Sequence, residues 1–265
     1  MDNLTISIDQ AVEENALPHE WSKEVLAELK DLGVKNNKRD DLRKIPFVTI
    51  DGKDAKDFDD AVFCEANKDG FVLQVAIADV AEIVEPSSSI DKEALSRGTS
   101  IYFPKRVIPM LPEEISNNLC SLIPSEDRNV LVCKMNFSQE GEINSYDFSE
   151  AVINSHKRFT YNEVEFLKQN KDTNLSADIL NSINALEKLT KQLLHNRSKR
   201  YALEIESSEP TLSFGNGGNV SEIFIPKRPG EPDRSCADIT KIKKDLNWEP
   251  KIKIEEGVKL SLIHI

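Results

Sequence analysis

Apolar and polar positions alternate along much of this chain with the period of two that a half-buried strand requires. The run Phe47-Val-Thr-Ile50 is a short strand, rich in β-branched and aromatic residues, with Pro46 before it and Gly52 at the turn after it. Phe71-Val-Leu-Gln-Val-Ala-Ile-Ala78 follows the turn Asn67-Lys-Asp-Gly70 and pairs as a hairpin with the apolar run around Ala61, Val62 and Phe63. Residues 130–137 and 143–153 flank a Gln-Glu-Gly turn and form a second hairpin. A third surrounds Gly215-Asn-Gly-Gly218, between Thr211-Leu-Ser-Phe and Val220-Ser-Glu-Ile223. Residues 3–8 alternate as a short strand, and residues 11–17 follow as a brief helix or turn.

Helical spacing marks the remaining segments. Ser22 caps a helix that carries Val25, Leu26, Leu29 and Leu32 and closes at Gly33. Residues 91–97 make a helical turn into Gly98, and a short helix follows Pro112 and ends near Pro124. Over residues 179–194, Ile183, Leu186, Leu189 and Leu193 share one helical face. The basic tract that ends this helix, from Lys191 to Arg200, suits the helix dipole. Residues 35–44 are a charged linker expected to cross through solvent. Residues 101–112 hold three prolines and two aromatics, which predicts a rigid, extended loop.

The chemistry sits after the first strand. Asp51-Gly-Lys-Asp-Ala-Lys-Asp-Phe-Asp-Asp60 packs five aspartates into ten residues. Carboxylates delivered together at a strand end repel one another, and some must hold protons unless a cation neutralises them. An acidic run is ordinarily a solvated loop, but Phe58, Ala61, Val62 and Phe63 frame this one in apolar residues. Oxygen ligands without His or Cys nearby suit Mg²⁺ or Mn²⁺ better than Zn²⁺. An EF-hand register is excluded, because nothing here places Gly at position six and Glu at twelve. Asp79, which closes the second strand, reads as a cap rather than a fifth acid.

Val48-Thr-Ile-Asp-Gly-Lys-Asp-Ala-Lys-Asp-Phe-Asp-Asp-Ala-Val62 resembles the signature of the ribonuclease II / ribonuclease R family. Further blocks of that pattern follow in order: Val75-Ala-Ile-Ala-Asp-Val80, Arg97-Gly-Thr-Ser-Ile-Tyr-Phe-Pro104, Val107-Ile-Pro-Met-Leu-Pro-Glu113, Ser116-Asn-Asn-Leu-Cys-Ser-Leu122 and Arg158-Phe-Thr-Tyr161. The resemblance implies an α/β (α+β) fold: a mixed, largely antiparallel sheet flanked by helices, here the N-terminal part of an RNB-type catalytic domain. It implies a processive 3′→5′ exoribonuclease that hydrolyses RNA, single-stranded or structured, to nucleoside 5′-monophosphates. Asp51, Asp57, Asp59 and Asp60 would be catalytic and would hold Mg²⁺, with Mn²⁺ a possible substitute. Tyr102, Tyr161 and Arg158 would contact the RNA. For Tyr161 the residues alone also allow the start of the next helix, with its ring in the core. No nucleotide cofactor is expected, and the protein is expected to be monomeric.

Composition adjusts this picture. Of the 265 residues, 39% are hydrophobic and 30% charged, as in a globular protein of one or two domains. No apolar run is long enough to span a bilayer, and the first residues show no secretory pattern. Four cysteines without a CxxC motif read as buried thiols in a reducing cytoplasm. The net charge of −12 is opposite to that of a surface gripping RNA, which implies that most of the grip lies in parts not present.

The division expected is residues 1–20 as the exit of an OB or cold-shock-like domain, 21–44 as helix and linker, and 45–223 as the start of the RNB domain. From residue 224 the likeness changes. Arg-Pro-Gly-Glu and Leu-Asn-Trp-Glu-Pro-Lys pieces resemble the tail of nucleotide-sugar epimerases and dehydratases of the extended short-chain dehydrogenase family. That family's Gly-x-Gly-x-x-Gly and Tyr-x-x-x-Lys elements are missing upstream. Residues 224–265 are therefore expected to be an unrelated tail joined in a chimera. Two consequences are expected: weak or no activity for the chain alone, and exposed apolar patches on the sheet. The alternatives are a non-catalytic RNA-binding fragment and, on the tail alone, a sugar-nucleotide enzyme.

Overall fold

A computed structural model describes residues 3–33, 38–169, 175–200, 213–214, 220–221 and 244. The chain up to Ser221 forms one compact unit; in the second, residues 222–265, only Lys244 is described. The tail with its epimerase likeness, and residues 203–210, thus lie outside the described residues.

The chain opens with helix α1 (Asn3–Glu14) instead of the expected strand. Leu4, Ile6 and Ile8 alternate, but Leu4, Ile8 and Val12 also repeat every four residues. The helix buries Ile8 and Val12 and leaves Ile6 44% exposed. Helix α2 (Lys23–Glu28) starts where expected, with the Ser22 hydroxyl accepting from the Val25 amide. It passes into a 3₁₀ turn over Leu29–Asp31, ahead of Gly33.

Of the charged linker, residues 38–44 are described, and they are exposed or half-buried as a solvated crossing requires, with one side chain the exception. Asp40–Asp41 forms strand β1, and the Arg39 side chain just before it is only 3% exposed. Arg39 lies 2.7 Å from Asp79 and 3.4 Å from Glu82. Buried acids supplied from forty residues away draw this one side chain inside.

Strands β2 (Val48–Asp51), β3 (Asp60–Asn67) and β4 (Gly70–Ala78) follow the predicted pattern. In the tight β3–β4 turn the Asn67 side chain accepts from the amides of Asp69 and Gly70. Gly70 has φ +143°, and a Cβ there would fall 2.0 Å from the Phe137 carbonyl oxygen, so no other residue fits. Asp79 caps helix α3 (Val80–Ile83) by accepting from the Glu82 amide. Helix α4 (Ser89–Arg97) ends at Gly98 with φ +72°. The proline-rich loop is extended as expected but paired: β5 (Ile101–Phe103) and β6 (Arg106–Ile108) form a hairpin. Pro104 and Lys105 make its turn, and Pro109 and Pro112 fall beyond the paired positions, so none of the three breaks the ladder. The short helix beyond Pro112 contains a π-helical stretch over Ile115–Leu119.

Strands β7 (Asp127–Phe137) and β8 (Ile143–Asn154) form the second hairpin, with a bulge at Asn136/Phe137. Strand β9 (Lys157–Thr160), helix α5 (Tyr161–Gln169) and the long helix α6 (Ala177–Lys199) complete the main body. Strands β10 (Ser213–Phe214) and β11 (Val220–Ser221) pair antiparallel, as expected for the third hairpin. The main sheet has seven strands in the order β1-β8-β7-β4-β3-β2-β9. Only β1–β8 and β2–β9 run parallel, so the expected mixed, largely antiparallel sheet flanked by helices is what forms.

One face of the sheet presents Phe47, Ala61, Ala76, Val130, Val132 and Ile153 to Val25, Phe58, Ile90, Ile115 and Leu122. The other face packs on α6 through Cys64, Phe71, Phe137, Ala185 and Leu189, and through Val48, Phe159, Ile179 and Ile183. Helix α6 covers only part of that face. Beyond it Leu131 is 47% exposed, Tyr146 66% and Phe148 69%, so an apolar stretch of β7 and β8 is open. Cys64 and Cys120 are buried free thiols, and burial pushes them up to about 12 and about 11. Cys133 is free and half-buried, and Cys236 lies outside the described residues.

Candidate active site

Sheet register decides where the four predicted aspartates stand. Asp51 ends β2, directly beside Thr160 at the end of β9. Asp60 opens β3 opposite Ile77, and the Asp59 carbonyl accepts from the Ala78 amide at 2.9 Å. Strands β2 and β3 pair at Val48↔Val62 alone, so toward the aspartates the two strands have no ladder between them. The loop that joins them, residues 52–59, is held from within by Phe58. Its ring is buried in the core cluster, which leaves Asp57 and Asp59 on either side of an apolar anchor.

Electrostatics show that the acids feel one another. Burial, then the charge of Asp60, pushes the Asp51 carboxyl above the ordinary carboxylate range. Asp59 and Asp57 add to this, and the Arg158 guanidinium opposes it. Asp59 is raised as well, by burial first and then by Asp57 and Asp60. Oδ2 of Asp51 is buried with no hydrogen-bond partner. Among the described residues no three acidic, His or Cys side chains converge at metal-ligating spacing. The carboxylates repel as neighbours rather than meeting at one point.

Their chemistry nevertheless fits a hard divalent cation. The donors are all carboxylate oxygens, one of them is buried and unpartnered, and ionising Asp51 and Asp59 is disfavoured by burial and then by the neighbouring charges. Protons and a cation therefore compete for the same oxygens. Mn²⁺ affinity should fall on acidification, and the fall should begin above the pH range in which an ordinary aspartate takes up its proton. Titrations of Mn²⁺ at several pH values check this. An affinity that holds until the ordinary aspartate range would contradict it.

Other predicted site residues gather at this end of the sheet. Arg158 stands beside Thr49 in the β9–β2 ladder. Its Nη2 donates to the carbonyls of Gly52 (2.7 Å) and Lys53 (2.8 Å), so it braces the loop. Tyr161 comes one residue after the ladder partner of Asp51; it is the first residue of α5, and its side chain is 65% exposed instead of sitting in the core. Tyr102 projects from β5 with 71% exposure. It lines a cleft of about 1140 Å³ together with Asp57, Asp59, Lys56 and Asn117. Asp79 is not a fifth acid of the site; its carboxylate is engaged by Arg39 and the α3 cap. A second cavity, of about 750 Å³ between β3 and α6, shares no residue with the acidic loop.

Sequence reasoning missed the basic side chains of the cleft, Lys56, Lys105 and Arg106, of which Arg106 is paired with Asp9 at 2.7 Å. It also missed Ser121, which is fully buried behind the loop. Neither has a local sequence signal, because each acquires its place through tertiary packing.

Residues 39–237 match the RNB domain family. The chain belongs to the RNB domain family. It is 43% identical over 232 residues to ribonuclease R of Escherichia coli strain K12, a match covering 84% of this chain and 28% of that protein. To ribonuclease R of Acidithiobacillus ferrooxidans it is 45% identical over 208 residues, 75% of this chain and 47% of the other. Mycoplasma genitalium RNase R, solved in complex with double-stranded RNA, superposes with a TM-score of 0.78 at 32% identity, over 85% of this chain and 42% of that one. Yeast Ssd1, a pseudonuclease, gives 0.52 at 16% identity, a likeness of fold alone. The chain thus spans between about a quarter and a half of the length of the curated relatives it matches. No described helix is long and apolar enough to cross a membrane.

Proposed function

We propose that this chain carries the cation-binding part of a 3′→5′ exoribonuclease domain that hydrolyses RNA to nucleoside 5′-monophosphates. The observation that supports this most is the cleft shared by Asp57, Asp59 and Tyr102, which joins an acidic loop to an exposed ring in one cavity. Asp51, Asp57, Asp59 and Asp60 would hold Mg²⁺, or Mn²⁺ in its place. When bound, such ions activate water and stabilise the leaving oxygen of a phosphodiester.

The chain's own residues do the rest. Tyr102 offers a face for a base near the 3′ end, and stacking tolerates any sequence. Tyr161 offers a second exposed ring at the Asp51 end of the sheet. Arg158 holds the loop by its carbonyls and moderates the charge on Asp51, and RNA contact by its remaining donors is part of this reading. Lys56 and Lys105 bring positive charge to an otherwise acidic cleft. The same reading has the domain act as a monomer in the cytoplasm with no nucleotide cofactor.

Because the chain spans only part of its relatives, its hydrolysis of RNA should be weak or absent while binding survives. Two measurements on the full chain test this: fluorescence anisotropy with single-stranded RNA, and a gel assay with 5′-labelled RNA and Mg²⁺. Tyr102→Ala should weaken binding by roughly 5- to 150-fold, the equivalent of one lost ring–base stack of about 1–3 kcal/mol. Unchanged affinity in Tyr102→Ala would remove the tyrosine from the RNA track. Rapid processive shortening by the wild-type chain would show that the parts absent from the match are dispensable.

A further inference from the structure

The acidic loop is pinned at two places, and the second involves no charge. Ser121 is 0% exposed. Its Oγ donates to the Lys56 carbonyl at 2.8 Å and accepts from the Phe58 amide at 3.0 Å. The next amide, that of Leu122, donates to the Phe58 carbonyl at 2.9 Å. These bonds bracket Asp57 and leave Asp59 as the first residue beyond the bracket. The Ser121 carbonyl accepts from Arg128 Nε at 2.9 Å and from the Ile123 amide at 2.8 Å, which fixes the serine itself.

We propose that Ser121 is a positioning residue for the acidic loop, a neutral clamp that holds Asp57 and Asp59 in place for a divalent cation. The physical need is specific. Mutual repulsion of the aspartates works to splay the loop, so something must restrain its backbone. A cationic side chain at this point would restrain it by neutralising the charge that binds the metal. A hydroxyl restrains it by donating and accepting at once, leaving every carboxylate free. Alanine at 121 cannot do this, and it leaves the buried Phe58 amide without its partner and takes the hydroxyl away from the Lys56 carbonyl. The motif Ser116-Asn-Asn-Leu-Cys-Ser-Leu122 thereby acquires a role: its π-helical part lines the cleft with Asn117, and its end grips the loop.

This assignment rests on the cation-binding reading of the loop, and the experiment separates the two. Full-length wild type, Ser121→Ala, Ser121→Cys and Ser155→Ala are compared. Ser155 is 1% exposed and its Oγ has no partner, so Ser155→Ala is a matched loss of a buried hydroxyl that clamps nothing. Amide hydrogen exchange at Phe58 and Mn²⁺ affinity by electron paramagnetic resonance are the two readouts. Ser121→Ala should speed Phe58 exchange by about tenfold or more and weaken Mn²⁺ binding by about tenfold. Ser121→Cys, a weaker donor, should fall between it and wild type, and it carries the test if Ser121→Ala does not fold. Ser155→Ala should match wild type in both. Wild-type Mn²⁺ affinity in both Ser121 variants would overturn the proposal, as would equal weakening in Ser155→Ala. If wild type binds no Mn²⁺ but the Ser121 variants still loosen Phe58, the clamp stands and the cation reading fails.

Discussion

Arg39→Ala should destabilise the protein by about 3–5 kcal/mol, a large share of the total for a single domain. The reason is the company the guanidinium keeps. It is 3% exposed, 2.7 Å from Asp79 and 3.4 Å from Glu82, whose side chains are 8% and 3% exposed. Asp79 caps α3, and Glu82 accepts from the Asn129 side chain at 2.6 Å, so neither acid can turn out to solvent without losing a partner. The gain from the pair itself is modest once desolvation is counted; the loss comes from leaving two buried carboxylates uncompensated. Urea unfolding of Arg39→Ala, alone and combined with Glu82→Ala, checks this. The double variant should lose less than the sum of the single ones by more than about 1 kcal/mol. A loss under about 1 kcal/mol for Arg39→Ala would mean that the cluster is solvated in a way its burial denies.

The second large effect has opposite signs with and without cation. Asp59 is raised by burial and by the charges of Asp57 and Asp60. A carboxyl whose folded value lies above its unfolded value favours the native state at low pH, and that favour is lost as pH rises through the folded value. At neutral pH the ionised Asp59 therefore works against the metal-free fold, and Asp59→Asn should raise its thermal midpoint. With a divalent cation at about a hundred times its dissociation constant, wild type should gain about 2.7 kcal/mol. Asp59→Asn should gain little or none of it. Thermal unfolding of both proteins at neutral pH, with and without Mn²⁺, checks both signs. A variant less stable than wild type without metal would contradict the repulsion on which the site is built.

Much of this was legible in the chain. Strands β3, β4, β7 and β8 follow from alternation and their turns, because a strand with one face more deeply covered than the other imposes a period of two on the sequence. The acidic loop was legible because Phe58 and its apolar neighbours distinguish an anchored loop from a solvated one. Where the reading failed, tertiary partners decided the outcome. Six residues of alternation at the N-terminus satisfy both a strand and a helix, and the packing of Ile8 and Val12 on Ile108 selects the helix. Arg39 looked solvated because its partners lie forty residues on, where no local pattern reports them. The hairpin β5–β6 was hidden by prolines that occupy its turn and flanks. Ser121 was invisible because a serine in a buried motif carries no sign of which backbone groups it will meet.

The function proposed for this chain depends on a loop of mutually repelling aspartates that accepts a divalent cation. The most direct measurement is a Mn²⁺ titration of the full chain by electron paramagnetic resonance, with Asp57→Asn and Asp59→Asn alongside. Saturable binding in wild type that is lost in both variants is the predicted result. Equal uptake by all three proteins, or none by wild type, would contradict it.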